Sequence, residues 1–171
     1  DQSIYQCSLS SYCFNVSFTD VDNNLKFKTK VSGPGTLTGN QICFTPGGPG
    51  ANTFVIKAED SCGAVDYDTV VVTVAVNSPP VAINPASQNV FQCVAAQICH
   101  TFTATDVNGG PLTWTKLAGV GTITTGGLFC FTPTLSGSYT ATVVVADSCG
   151  LKDTTSIAYT VSINSAPVAV N

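Results

Sequence analysis

The chain has 171 residues, eight cysteines, one histidine, no methionine and a formal charge of −4, and only 9% of its residues are charged. Apolar residues make up 44%, which excludes a disordered chain, and six Lys and Arg are too few to neutralise a run of phosphates, which excludes nucleic acid. No apolar run reaches the roughly 18 residues that a membrane helix needs, and the even cysteine count predicts disulfides and an oxidising compartment.

In chain order the predicted elements are all strands. A short, weakly patterned stretch, SIYQC (3–7), comes first. Phe14, Val16 and Phe18 then alternate with Asn15, Ser17 and Thr19, and Leu25, Phe27, Thr29 and Val31 alternate with Lys26, Lys28 and Lys30. The apolar set of each run is expected to face a core. The glycine-bearing hairpin GPGTLTG (33–39) leads to QICFTP (41–46). Phe54, Ile56 and Ala58, then Val70, Val72, Val74 and Val76, mark two more inward faces. After the linker NSPPVAIN (77–84) the same order returns. NVFQC (89–93) precedes the inward set His100, Phe102 and Ala104; Leu112 and Trp114 follow; GVGTITTGG (119–127) leads to LFCFTP (128–133). The closing strands carry Ala141, Val143 and Val145, then Ile157, Tyr159, Val161 and Ile163. Period-two alternation with Gly, Pro and Asn turns is a half-buried antiparallel sheet. The expected fold is all-β: two tandem seven-stranded immunoglobulin-like β-sandwiches, residues 1–78 and 79–171, joined by a Pro-containing linker.

The duplication is numerical as well as visual. Cys7 and Cys13 recur as Cys93 and Cys99, displaced by 86; Cys43 and Cys62 recur as Cys130 and Cys149, displaced by 87. The segment NSAPVAVN (164–171) repeats the internal linker, and joining Asn171 to Asp1 would regenerate the internal junction, two residues shorter. The chain therefore reads as one period of a longer array. Pro79, Pro80 and Pro167 would stiffen the junctions.

The motifs TDVD (19–22), CFTP (43–46), DSCG (60–63) and PVA (80–82), with their second copies, carry a resemblance. Together they resemble the Ig-like and cadherin-like tandem repeats of bacterial extracellular surface proteins, over nearly the whole chain. The resemblance implies a structural or adhesive, non-enzymatic role in stalks, adhesins or extracellular fibres, and names no particular ligand.

Four cysteines per unit allow three pairings. Local pairs, Cys7–Cys13, Cys43–Cys62, Cys93–Cys99 and Cys130–Cys149, are expected, leaving no free thiol. The rival joins Cys13 to Cys43 across neighbouring strands, and it would leave Cys7 and Cys62 at opposite poles. Spacings of five and eighteen residues are not the close knuckles of structural zinc.

Asp20, Asp22, Asn23 and Asn24 follow the second strand, Glu59 and Asp60 end the sixth, and Asn77 opens the linker; the second unit offers Asp106, Asn108, Asp147 and Asn164. Cadherin-like repeats gather such oxygens around Ca²⁺, which makes Asp20, Asp22, Asp60, Asn77, Asp106 and Asp147 candidate calcium ligands. The alternative is that they cap turns. No other cofactor is expected. Asn15-Val16-Ser17 is a glycosylation sequon, and Thr101, Thr103 and Thr105 are outward hydroxyls open to O-glycans. His100 lacks the acid or nucleophile that a catalytic histidine needs, and Trp114 reads as core rather than a sugar platform. The expected function is a repeat unit of an extracellular or cell-surface filament whose partners are copies of itself, head to tail. The alternative is a carbohydrate-binding or cell-adhesion module of a secreted protein, with cell-surface glycans as partners.

Overall fold

The structure is a computed structural model in which residues 1–170 are described. It is built of strands, with no helix among the described residues, and it divides into two compact units, Asp1–Asn77 and Ser78–Asn171.

The first unit contains β1 (Gln2–Gln6), β2 (Tyr12–Asn15), β3 (Leu25–Ser32), β4 (Thr36–Thr38), β5 (Gln41–Phe44), β6 (Gly50–Asp60) and β7 (Val65–Val76). One sheet has the order β1-β7-β6-β3 and the other β2-β5-β4. All neighbours are antiparallel except β1, which runs parallel to β7. Phe14, Ile42 and Phe44 from the short sheet pack against Phe54, Ile56, Val72 and Val74 from the long one. The Phe54 ring meets Phe44 and Phe14 edge to face, at 4.9 and 5.1 Å, the geometry that aromatic quadrupoles prefer.

The second unit contains β8 (Val81–Ala82), β9 (Gln88–Gln92), β10 (Ile98–Thr101), β11 (Ala104–Thr105), β12 (Thr113–Gly119), β13 (Thr122–Ile123), β14 (Leu128–Phe131), β15 (Gly137–Ala146) and β16 (Lys152–Ile163). Its sheets, β12-β15-β16-β9 and β10-β14-β13, repeat those of the first unit, with β9 parallel to β16. A two-residue ladder between β8 and β11 is added. The hairpins before β5 and β14 turn on Gly35 and Gly121, at φ +72° and +73°. A Cβ there would lie 2.0 Å from the Cys43 carbonyl oxygen and 2.4 Å from that of Cys130, so only glycine lets the two chains approach.

The alternation expected for β3 is out of phase by one residue. A bulge between Leu25 and Phe27 shifts the register, so Lys28 pairs with Ala58 and Lys30 with Ile56. Directly opposed residues share a face, which puts the two lysines on the core side and Phe27 on the outside, 49% exposed. Val31 lies in a second irregularity of β3 and is exposed as well. The expected equivalence of Phe27 and Trp114 falls with it. Trp114 pairs with Val145, and the residue opposite the matching Ala58 is Lys28. β3 is an edge strand, and inward-pointing charge on an edge discourages pairing with a stray strand. The stems lie along the sheet while Lys28 Nζ donates to Asn40 Oδ1 at 3.0 Å and Lys30 Nζ to the Gly33 carbonyl at 2.5 Å.

Candidate functional site

The acidic residues cap turns. Asp20 Oδ1 accepts from the backbone N–H of Asp22 at 2.9 Å and of Asn24 at 3.4 Å. With its side-chain amide turned to satisfy both groups, Asn24 donates to both Asp20 oxygens at 3.0 Å. Asp60 Oδ1 accepts from the N–H groups of Cys62 (2.9 Å) and Ala64 (2.8 Å), and Asp147 Oδ1 does the same for Cys149 and Leu151, both at 2.9 Å. Asp106 Oδ1 takes the N–H of Asn108 at 2.7 Å, leaving a buried Oδ2 with no hydrogen-bond partner among the described residues. Asn77 Oδ1 accepts from the Tyr5 hydroxyl, and Asp22 is exposed. Calcium requires six to eight converging oxygens, and among the described residues no three His, Cys, Asp or Glu side chains converge. The carboxylates close Asx turns on their own backbone.

The cysteines correct the expected pairing. Cys13 faces Cys43 and Cys99 faces Cys130 in the ladders, and both pairs are bonded, with Cα–Cα distances of 4.1 and 4.2 Å. Opposed residues of an antiparallel pair project to the same side, which brings the sulfurs together. Cys7 and Cys149 are also disulfide-bonded. Cys62 and Cys93 are exposed free thiols, contrary to the expectation that none remains. The assumption that failed is that all four cysteines of a unit pair with one another.

Asn15 is exposed on β2, its Oδ1 accepting from Gln41 Nε2 at 3.4 Å. His100 is half-buried, 4.9 Å edge to face from the Phe102 ring, and burial pushes its pKa down. Trp114 is 5% exposed and 5.6 Å from Phe102. Thr101, Thr103 and Thr105 are exposed.

A feature that the sequence reading missed is a groove of about 250 Å³ on the first unit, lined by Ser17, Phe18, Thr19, Ile56, Ala58, Asp66, Tyr67 and Asp68. The matching positions of the second unit, found by the 86 and 87 displacements, include Thr103, Ala104, Thr105, Asp153 and Thr155. There they hold a strand. Val81 and Ala82 pair with Thr105 and Ala104, and Ile83 N–H donates to the Thr103 carbonyl at 2.9 Å. Ala82 N–H donates to Asp153 Oδ2 at 2.8 Å, and Thr155 Oγ1 to Asn84 Oδ1 at 2.7 Å. The amide of Ala82, then that of Thr154, holds the Asp153 carboxyl below the usual range. Ala82 belongs to the buried cluster of its unit. In the first unit no strand pairs there among the described residues, and the Asp66 carboxylate has no partner among them. The available signal was the recurrence of the aspartate (Asp66, Asp153) together with PVA, which the duplication displays but alternation does not.

Among solved structures the chain is similar to human protocadherin-24 EC1-2, at 14% identity and a TM-score of 0.53, covering 96% of this chain and 95% of that one. It is similar to PcdhgB3 EC1-4, at 16% identity and 0.52, covering 94% and 48%. An I-band fragment of titin matches at 16% identity and 0.45, covering 94% of this chain, which spans 62% of that fragment. At such identities the likeness is one of fold, the tandem Ig-like and cadherin-like sandwich. No curated protein is significantly similar. The family model described as "Bacterial Ig domain" matches residues 77–162, half of the chain. With two stacked-sheet units of matching strand order, the second of them covered by that match up to residue 162, the chain belongs to the bacterial Ig domain family.

Proposed function

We propose that the protein is a non-enzymatic building block of an extracellular surface structure, joined head to tail to further copies of itself. One observation carries this reading: both units present the same two end devices. At one pole Gln6 and Gln92 each clamp the following loop, donating to Ser10 and Ala96 carbonyls at 3.1 and 3.0 Å, while their own carbonyls accept from Asn77 and Asn164 N–H at 2.9 and 2.8 Å. At the other pole the DSCG turns are closed by Asp60 and Asp147 in the same way. Unlike ends repeated along one chain favour heterologous contacts, which propagate unless the rotation closes a ring. Disulfides between neighbouring strands fit an oxidising exterior. Sedimentation velocity and electron microscopy of the purified chain test the reading. Linear polymers that lengthen with concentration are expected, and a monomer at every concentration overturns it.

A second reading, glycan binding, has a specific observation in its favour. Phe27 and Tyr67 are exposed on the outer face of one sheet, opposite Glu59 and Lys57, which form a 2.6 Å ion pair. Binding on a glycan array that is lost with Phe27→Ala and Tyr67→Ala would favour it.

A further inference from the structure

We infer that the groove of the first unit is a strand-accepting site, and that its occupant is the segment 166–170 of a second copy of this chain. The assignment rests on the head-to-tail reading and names the contact that would make it. The second unit shows what fits such a groove: a Pro-Val-Ala segment, with Pro80 and Ala82 buried and Val81 exposed. Residues 167–169 are again Pro-Val-Ala, followed by Val170, and they carry no strand. Val168 and Val170 are 84% and 91% exposed. Transferred by the repeat, Val168 lies opposite Thr19 and Ala169 opposite Phe18. The Ala169 N–H then points at the Asp66 carboxylate, as Ala82 N–H does at Asp153. Val170 N–H takes the carbonyl of Ser17, as Ile83 N–H takes that of Thr103. Ala169 would cover the apolar floor made by Ile56 and Ala58. Main-chain hydrogen bonds at a sheet margin, with alternate side chains in a pocket, are the physics of strand addition.

The test uses a synthetic peptide of residues 165–171 and the chain lacking residues 166–171, a deletion that removes only exposed, strandless sequence. The peptide is expected to bind this chain and to raise hydrogen-exchange protection in β2, β6 and β7 of the first unit while leaving the second unchanged. Asp66→Ala should weaken binding about tenfold, the loss of one charge-assisted hydrogen bond. Ala58→Trp should abolish binding by filling the groove. Absence of binding, or binding indifferent to both substitutions, overturns the assignment. The head-to-tail reading fails separately. If the deleted chain polymerises as the intact one does, that reading stands and the strand site falls; if the intact chain stays monomeric while the peptide binds, the reverse holds.

A different observation carries a second proposal. The cysteine beside the glutamine clamp is oxidised in the first unit (Cys7) and free in the second (Cys93). The cysteine of the DSCG turn is oxidised in the second (Cys149) and free in the first (Cys62). Both free thiols are exposed; Cys62 N–H donates to Asp60 Oδ1 as Cys149 N–H does to Asp147 Oδ1, and Cys93 follows Gln92 as Cys7 follows Gln6, each glutamine accepting from the loop after it. We propose that Cys93 of one copy bonds to Cys62 of the next. A low-molecular-weight disulfide is the oxidant. One protein thiolate attacks it to give a mixed disulfide and one small thiolate. The thiolate of the other copy then attacks the protein sulfur and expels the second small thiolate. Two protein thiols lose two electrons, and the small disulfide, with the two protons, becomes two small thiols. With oxidised glutathione, non-reducing electrophoresis should show a ladder of multiples of the chain mass. Cys62→Ser or Cys93→Ser alone should abolish the ladder and leave the monomer, and peptide mapping of the wild-type ladder should give Cys62–Cys93. A species of monomer mass containing that linkage, or bonds only between like cysteines, overturns the proposal.

Discussion

The two units share a strand order and fill it differently. The second unit buries twelve apolar residues in one cluster, the first eight. Three exchanges show how differently the two cores are filled. Trp114 stands where the first unit has Lys28, Phe102 where it has Val16, and Ala104 where it has the larger Phe18. The first unit answers with a local substitute, the Lys28 ammonium lying 5.7 Å over the Phe18 ring, a contact worth about 0.5–1 kcal/mol when exposed. The second unit also carries the Val81–Ala82 strand on its flank, and the first does not. The comparison teaches that sheet order in this fold tolerates a lysine at a core-side position, provided that the position lies on an edge strand with a route to water.

The sharpest way to break the comparison is at Trp114. Trp114→Ala should destabilise the second unit by about 3–5 kcal/mol, the usual range for emptying a buried aromatic site. Lys28→Ala should cost the first unit about 1 kcal/mol or less. Hydrogen exchange read separately for each unit measures both, and equal losses would show that the two positions are not structural counterparts. The cross-strand disulfides should instead behave alike. They close loops of nearly the same length, with sequence separations of 30 and 31, so Cys13→Ser with Cys43→Ser, and Cys99→Ser with Cys130→Ser, should each cost about 3–4 kcal/mol in the chain-entropy model. Unequal denaturation midpoint shifts for the two double variants would localise strain to one unit.

Tyr159 sharpens the comparison in the opposite direction. Its counterpart is Val72, and its buried hydroxyl has no hydrogen-bond partner among the described residues. Tyr159→Phe should stabilise the second unit by about 1 kcal/mol, since an unpaired buried hydroxyl is costly. Burial also raises the Tyr159 pKa above the ordinary 10.0. A group whose folded pKa is raised contributes stability below the unfolded value and loses it as the pH rises, so Tyr159→Phe should flatten the alkaline decline of the second unit above about pH 10. The smallest expected effect is at Asp153, whose pKa is lowered chiefly by the Ala82 N–H. A depressed carboxylate stabilises above its unfolded pKa, about 4, and that contribution disappears as the pH falls through the folded value. Asp153→Asn should therefore lower the melting temperature of the second unit at pH 7 and leave less to lose in acid. An unchanged difference between pH 7 and pH 3 would detach Asp153 from the Val81–Ala82 strand.

By itself the sequence determined the class of fold, the duplication and most of the inward faces. Phe14, Val16, Phe54, Val72, Val74, Trp114, Val143 and Tyr159 are all buried, as alternation requires. Alternation is a local property of the pleat, and solvent exclusion enforces it wherever a strand has a neighbour on both sides. Three matters were decided only by tertiary structure. The phase of β3 turned on a single bulge, and a one-residue slip reverses every side chain downstream. The bonding of Cys13 to Cys43 depended on register between strands 30 residues apart, which the distance along the chain does not encode. The groove of the first unit became visible only when its lining was set against the matching positions of the second unit, which hold Val81 and Ala82, and no residue type announces it.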